Sequence, residues 1–158
     1  MALSYRERFE FRTDPHSNNL IDEMRKCVRQ GNTINFKVGG DCMNPHLKKG
    51  DKITVQQDYG WHTGDIVVYF CNYTHRIMAH RLLGVIHRPS GKKFMVKPDI
   101  QDYPNALIES QFVIGKTTNK QIHFGKRLTC FWLFVYFCLK IYCSNLMPHI
   151  KKDGHQKN

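Results

Sequence analysis

A chain of 158 residues with 41% apolar and 12% aromatic content can bury a core in one domain without disulfide or metal staples, which excludes a disordered tail or a stapled miniprotein. Its 24 Lys and Arg against 13 Asp and Glu give a formal charge of +11 and favour anionic partners, but the basic residues are scattered and carry no DNA- or RNA-binding signature, so no specific nucleic-acid partner is expected. The 6 cysteines and 9 histidines lack the short paired spacings of a metal site; no metal or cofactor is expected, and free thiols without an opening secretory signal predict a reducing, cytoplasmic setting.

In chain order, residues 1–18 read as a polar leader that ends around Asp14-Pro15. The next segment, about residues 19–30, spaces Leu20, Ile21, Met24, Cys27 and Val28 as one apolar stripe and predicts a packing helix. Ser17 or Asn18 is the expected cap, and Gly31 suits a left-handed stop.

Between residues 33 and 118 the period shortens. Ile34, Phe36 and Val38 alternate, as do Ile53 and Val55; apolar runs follow at Ile66 to Phe70, Ile77 to Ile86, Phe94 to Val96 and Phe112 to Ile114. Turn residues at Gly50-Asp51, Gly60, Thr63-Gly64-Asp65 and Pro89-Ser90-Gly91 separate them. The prediction is mainly β: a small, strongly bent antiparallel domain with a lead-in helix, spanning residues 19–118.

Residues 119–158 form a basic and hydrophobic C-terminal segment. Cys130 to Leu139 is an unbroken apolar run, with Lys126-Arg127 before it and Lys151-Lys152 after it. A bilayer span needs about 20 apolar residues. Three readings stay open for residues 130–147: an element packed on the β domain, an interfacial anchor on an anionic membrane surface, and a membrane span.

The chemistry concentrates in Gly40-Asp41-Cys42-Met43-Asn44-Pro45-His46-Leu47-Lys48-Lys49-Gly50-Asp51, with His80-Arg81 on a later apolar strand. A thiol on a glycine-loosened turn supplies a nucleophile, and a histidine supplies a base that can later protonate a departing amine. A close Cys-His pair can settle as thiolate and imidazolium at neutral pH. Gly39 and Gly40 permit positive φ, Pro45 biases Asn44 toward extended backbone, and amides around Gly40, Asp41 and Met43 can face an oxyanion. Strand alternation puts Met78, Leu82 and Ile86 on the side of His80, with Ile77, Ala79, Arg81 and Leu83 opposite. Met43 is expected to pack beneath the turn, and Asp51 and Asp65 to cap local backbone.

This box resembles the nucleophile box of the signal peptidase I and LexA-like peptidases, Gly-x-Ser-Met-x-Pro-x-Leu-x-x-Gly-Asp, with Cys42 in place of serine. Gly64 to Tyr69 resembles the family's Gly-Asp-Ile-Val-Val-Tyr box, and His80-Arg81-Leu82-Leu83-Gly84-Val85 the strand that carries the base, in its histidine version. Val96-Lys97-Pro98-Asp99-Ile100 is similar to a degenerate fourth box, and Phe112 to Lys116 to the closing strand. The resemblance covers about residues 19–118 and is nearest to the short standalone bacterial members. It implies an endopeptidase that cleaves a leader or propeptide from a peptide or protein substrate held as an added strand. Cys42 and His80 would form its dyad, Asp99 would orient His80, and Pro45 and Arg81 would support the site. A non-catalytic interaction module of the same fold is the alternative.

Overall fold

The computed structural model describes residues 15–57, 60–100, 106–118 and 124–146, without the side chains of 15–18 and 144–146. The leader up to residue 14, Lys151-Lys152 and Met147 lie outside the described residues.

The helix α1 spans Pro15–Arg29, four residues earlier at its start than the apolar stripe alone predicts. Proline suits the first helical turn because its missing N–H would have no intrahelical partner there. Ser17 and Asn18 therefore lie inside the helix rather than capping it. The far end stops as expected: Gly31 takes φ 84°, its N–H donates to the Val28 carbonyl at 3.1 Å, and the Asn32 N–H donates to the Cys27 carbonyl at 3.3 Å. Those two bonds satisfy carbonyls that a helix terminus otherwise leaves open.

Seven strands follow: β1 Ile34–Lys37, β2 Lys52–Gln56, β3 Ile66–Cys71, β4 Arg76–Arg88, β5 Gly91–Lys97, β6 Ala106–Glu109 and β7 Val113–Thr117. They make one antiparallel sheet in the order β1-β2-β7-β3-β4-β5-β6, so β7 returns between β2 and β3. The molecule is mainly β, as the short alternating runs predict. The sequence reading missed β6, whose apolar content is only Ala106-Leu107-Ile108. β6 pairs along β5 from Lys93↔Glu109 to Val96↔Ala106.

Alternation divides the core. Ile66, Val68 and Phe70 of β3 face a cluster that includes Ile21 of α1, Ile53 and Val55 of β2, and Met43 and Leu47 of the turn after β1. Val67 and Tyr69 face a second cluster with Leu82, Phe94, Val96 and Val113. Opposite pointing of successive residues is a property of any strand. β4 breaks it once: Leu82 pairs with Val96 but Gly84 with Met95, leaving Leu83 as an extra residue. Beyond this bulge the faces exchange, so Val85 joins the second cluster while Leu83 and Ile86 join a third. Ile86 therefore does not share the face of His80, as unbroken alternation had suggested.

The third cluster is the dock for α2, Phe124–Leu146, a helix of 23 residues. Cys130, Leu133, Phe134, Phe137 and Ile141, one stripe at helical spacing, pack on Leu83, Met95, Ile86 and Leu107. Gly84 makes this approach possible, because a Cβ there would sit 2.5 Å from the Phe134 ring. Of the three readings of the C-terminal segment, packing on the β domain is what this face shows. Among the described residues, no helix is long and apolar enough to cross a membrane.

Candidate functional site

The segment after β1 turns tightly. Val38 still pairs with its neighbours, its N–H donating to the Asp51 carbonyl at 2.8 Å while its carbonyl accepts from the Gly50 N–H at 2.8 Å. The Asn44 N–H then donates to the Asp41 carbonyl at 2.9 Å and the Leu47 N–H to the Met43 carbonyl at 2.9 Å, and the Asn44-Pro45 peptide is cis. Met43 and Leu47 are fully buried and anchor the turn from beneath. Cys42, between exposed Asp41 and buried Met43, is half-buried and packs on the first core cluster. Gly39 and Gly40 do not take positive φ, contrary to the expectation, and a Cβ at either would meet nothing within 4 Å. Glycine here serves neither a strained backbone nor a close contact; it leaves the chain beside Cys42 uncovered.

The turn is tied to the strands that carry the remaining polar groups. The Cys42 carbonyl accepts from the N–H of Asp99 at 3.0 Å and of Ile100 at 3.2 Å. Arg81, only 2% exposed, grips the Asp99 carboxylate in a fork: Nε donates to Oδ1 at 2.7 Å and Nη2 to Oδ2 at 2.5 Å. Its third nitrogen donates to the Gly64 carbonyl at 2.9 Å. Lys126, from the first turn of α2, reaches the same carboxylate at 3.2 Å. Burial alone would raise the Asp99 carboxyl, but the hydrogen bonds and charges of Arg81 and Lys126 outweigh it and hold it below its ordinary range.

His80 lies opposite Val67 on β4, with Tyr69 two pairs further along β3, so the two rings meet diagonally on one face. Tyr69 Oη and His80 Nδ1 are 2.9 Å apart. Nε2 is buried and has no hydrogen-bond partner among the described residues. Burial pushes the imidazole down to about 4, with the Asp99 charge opposing only in part. The ring is therefore neutral at pH 7. Burial likewise raises the Tyr69 hydroxyl, helped by the thiols of Cys71 and Cys42.

Two expectations change here. The carboxylate of Asp99 is occupied by Arg81 and Lys126, so the group that orients His80 is Tyr69. The thiolate–imidazolium pair is not the resting state either. Burial raises the Cys42 thiol, its own backbone N–H pulls the other way, and the carboxylates of Asp41 and Asp99 add to the rise. Both shifts oppose an ion pair, and no hydrogen bond joins Cys42 to the free nitrogen of His80. Cys42 packs on the first core cluster while His80 shares the face of Val67 and Tyr69 in the second, and each rests uncharged.

The other site residues fall around this core. Asp41 and Gly40 are exposed at the turn, and Arg81 supports it through Asp99 rather than facing a ligand. Asp51 and Asp65 cap local backbone, accepting from the Lys48 and His62 N–H groups at 3.1 Å each. Asp65 also pairs with Lys116 at 3.3 Å and Arg127 at 3.4 Å. Tyr69 and Lys126 were missed by the sequence reading. Tyr69 carried a signal, since the hairpin between the Ile66 and Ile77 runs fixes which residues face His80. Lys126 carried none, because its contact depends on where α2 docks.

Among the described residues no group of His, Cys, Asp and Glu is placed to hold a metal ion. In comparison with known proteins, no protein-family model and no curated protein matches this chain.

Proposed function

We propose that this protein is an endopeptidase of the signal-peptidase-like kind, acting on a leader or propeptide through Cys42 and His80. One observation carries the reading: a buried, neutral imidazole, held at Nδ1 by Tyr69, keeps Nε2 without a partner on a strand tied through Arg81 and Asp99 to the turn that presents a half-buried thiol. An unpartnered buried nitrogen is costly. A base that must take a proton needs one.

In the step this assigns, a bound peptide must first bring Cys42 Sγ and His80 Nε2 within reach; Sγ then bonds to the scissile carbonyl carbon as the thiol proton passes to Nε2. The same proton then goes to the departing amine as the C–N bond breaks, and water hydrolyses the thioester. Nε2 accepts only if Nδ1 carries the resting proton and donates it to Tyr69 Oη. A peptide fits as an added strand along β1, an edge of the sheet that leads through Val38 and the uncovered Gly39-Gly40 into Cys42.

The test is cleavage of a pool of synthetic leader-like peptides, read by mass spectrometry. Cys42→Ala is expected to abolish the products and His80→Ala to slow them by about 10² or more. Unchanged products from Cys42→Ala, or none from the wild-type chain, overturn the reading. Peptide retained without cleavage identifies instead a non-catalytic binding module, the reading favoured by the raised Cys42 thiol.

A further inference from the structure

A helix that docks one stripe on a core normally turns polar residues outward, and α2 does not. Opposite the docked stripe, Leu128, Phe131, Trp132, Tyr136, Leu139 and Tyr142 form a second stripe at helical spacing, from 47% exposed at Phe131 to 65% at Tyr142. Among the described residues nothing packs on it. Three of the six are Trp or Tyr, whose apolar rings and polar tips favour a boundary between water and an apolar phase. At 23 residues α2 is about 35 Å long, with Lys140 exposed in its second half.

We infer that α2 lies in the plane of an anionic lipid bilayer surface, its outer aromatic stripe sunk into the headgroup boundary and its inner stripe holding the β domain above it. Charge selects this occupant over a second copy of the chain. Each molecule carries a formal +11, so an apolar contact between two copies works against strong like-charge repulsion, whereas an anionic leaflet attracts it. Exposed Arg88, at the end of β4 and on the face that Gly84 and Ile86 turn to α2, adds to that attraction. Since α2 does not meet the requirement for a span, it lies along the surface. This docking is independent of whether Cys42 is catalytic.

The experiment is co-sedimentation of the full chain with phosphatidylcholine vesicles, with and without phosphatidylserine. The chain is expected to pellet with the phosphatidylserine-containing vesicles and to be released by high salt. The double variant W132S/Y136S is expected to bind about tenfold or more weakly with an unchanged melting transition, because both side chains are mostly exposed. Failure of the wild-type chain to pellet with anionic vesicles overturns the inference, as does equal binding by the variant. A stable dimer dispersed by the same two substitutions would also overturn it and seat a second copy on the stripe.

Discussion

At the scale of single residues, the decisive quantity is the proton on His80. Its folded value of about 4 lies below the ordinary 6.5, so the unfolded chain binds that proton more readily than the folded one. The stabilisation is complete above about pH 6.5 and is lost as pH falls toward 4, by up to about 3 kcal/mol. Denaturant melts from pH 8 to 4 should show this slope, and His80→Gln should flatten it. Asp99 titrates lower, because its carboxyl is held below its ordinary range, so its contribution is lost only at still more acid pH. Tyr69→Phe keeps the ring but leaves Nδ1 of a buried histidine without its partner. A loss of about 1–3 kcal/mol is expected in equilibrium unfolding, together with a displaced pH profile of any peptide cleavage, which a packing role alone would not move. Cys42 and His80 stand out in the sequence by residue type, but their protonation was not legible there. Whether a thiol and an imidazole ionise each other depends on how much water each loses and on whether they touch, and both follow from packing.

At the scale of elements, the middle of β4, the chain leaving β5 and the start of α2 meet at Asp99. Asp99→Asn weakens the fork and leaves Arg81, 2% exposed, with an uncompensated charge. A loss of about 3–5 kcal/mol is expected, with a smaller one for Arg81→Met combined with Asp99→Leu, since removing both charges spares the buried cation. Chemical unfolding of the three variants compares them directly. Gly84→Ala places a methyl group in the Phe134 ring and should cost about 1–3 kcal/mol by overpacking, partly recovered by Phe134→Ala. Thermal melts and proteolysis near α2 read that outcome. The strands with strong apolar runs were readable because alternation is local. β6 was not, since its four residues owe their strand state to pairing with β5. The face exchange in β4 was equally hidden, because a bulge is fixed by the neighbouring strand.

At the scale of the whole molecule, the charge of +11 repels itself in the compact state. Raising salt from about 10 mM to physiological strength shortens the Debye length from about 30 to about 8 Å, so the melting temperature is expected to rise over that range in differential scanning calorimetry. A fall would mean that ion pairs such as Asp65 with Lys116 and Arg127 outweigh the net repulsion.

What this sequence determined by itself was the content of its strands other than β6, the stop of α1 at Gly31, and the placing of Cys42 on a tight turn, because each follows from spacings within a few residues. Only the tertiary structure decided that Tyr69 rather than Asp99 holds His80, that the thiol and imidazole rest uncharged, and that α2 docks one apolar face while leaving the other open. Those outcomes depend on groups far apart in the chain and on the water excluded when they meet.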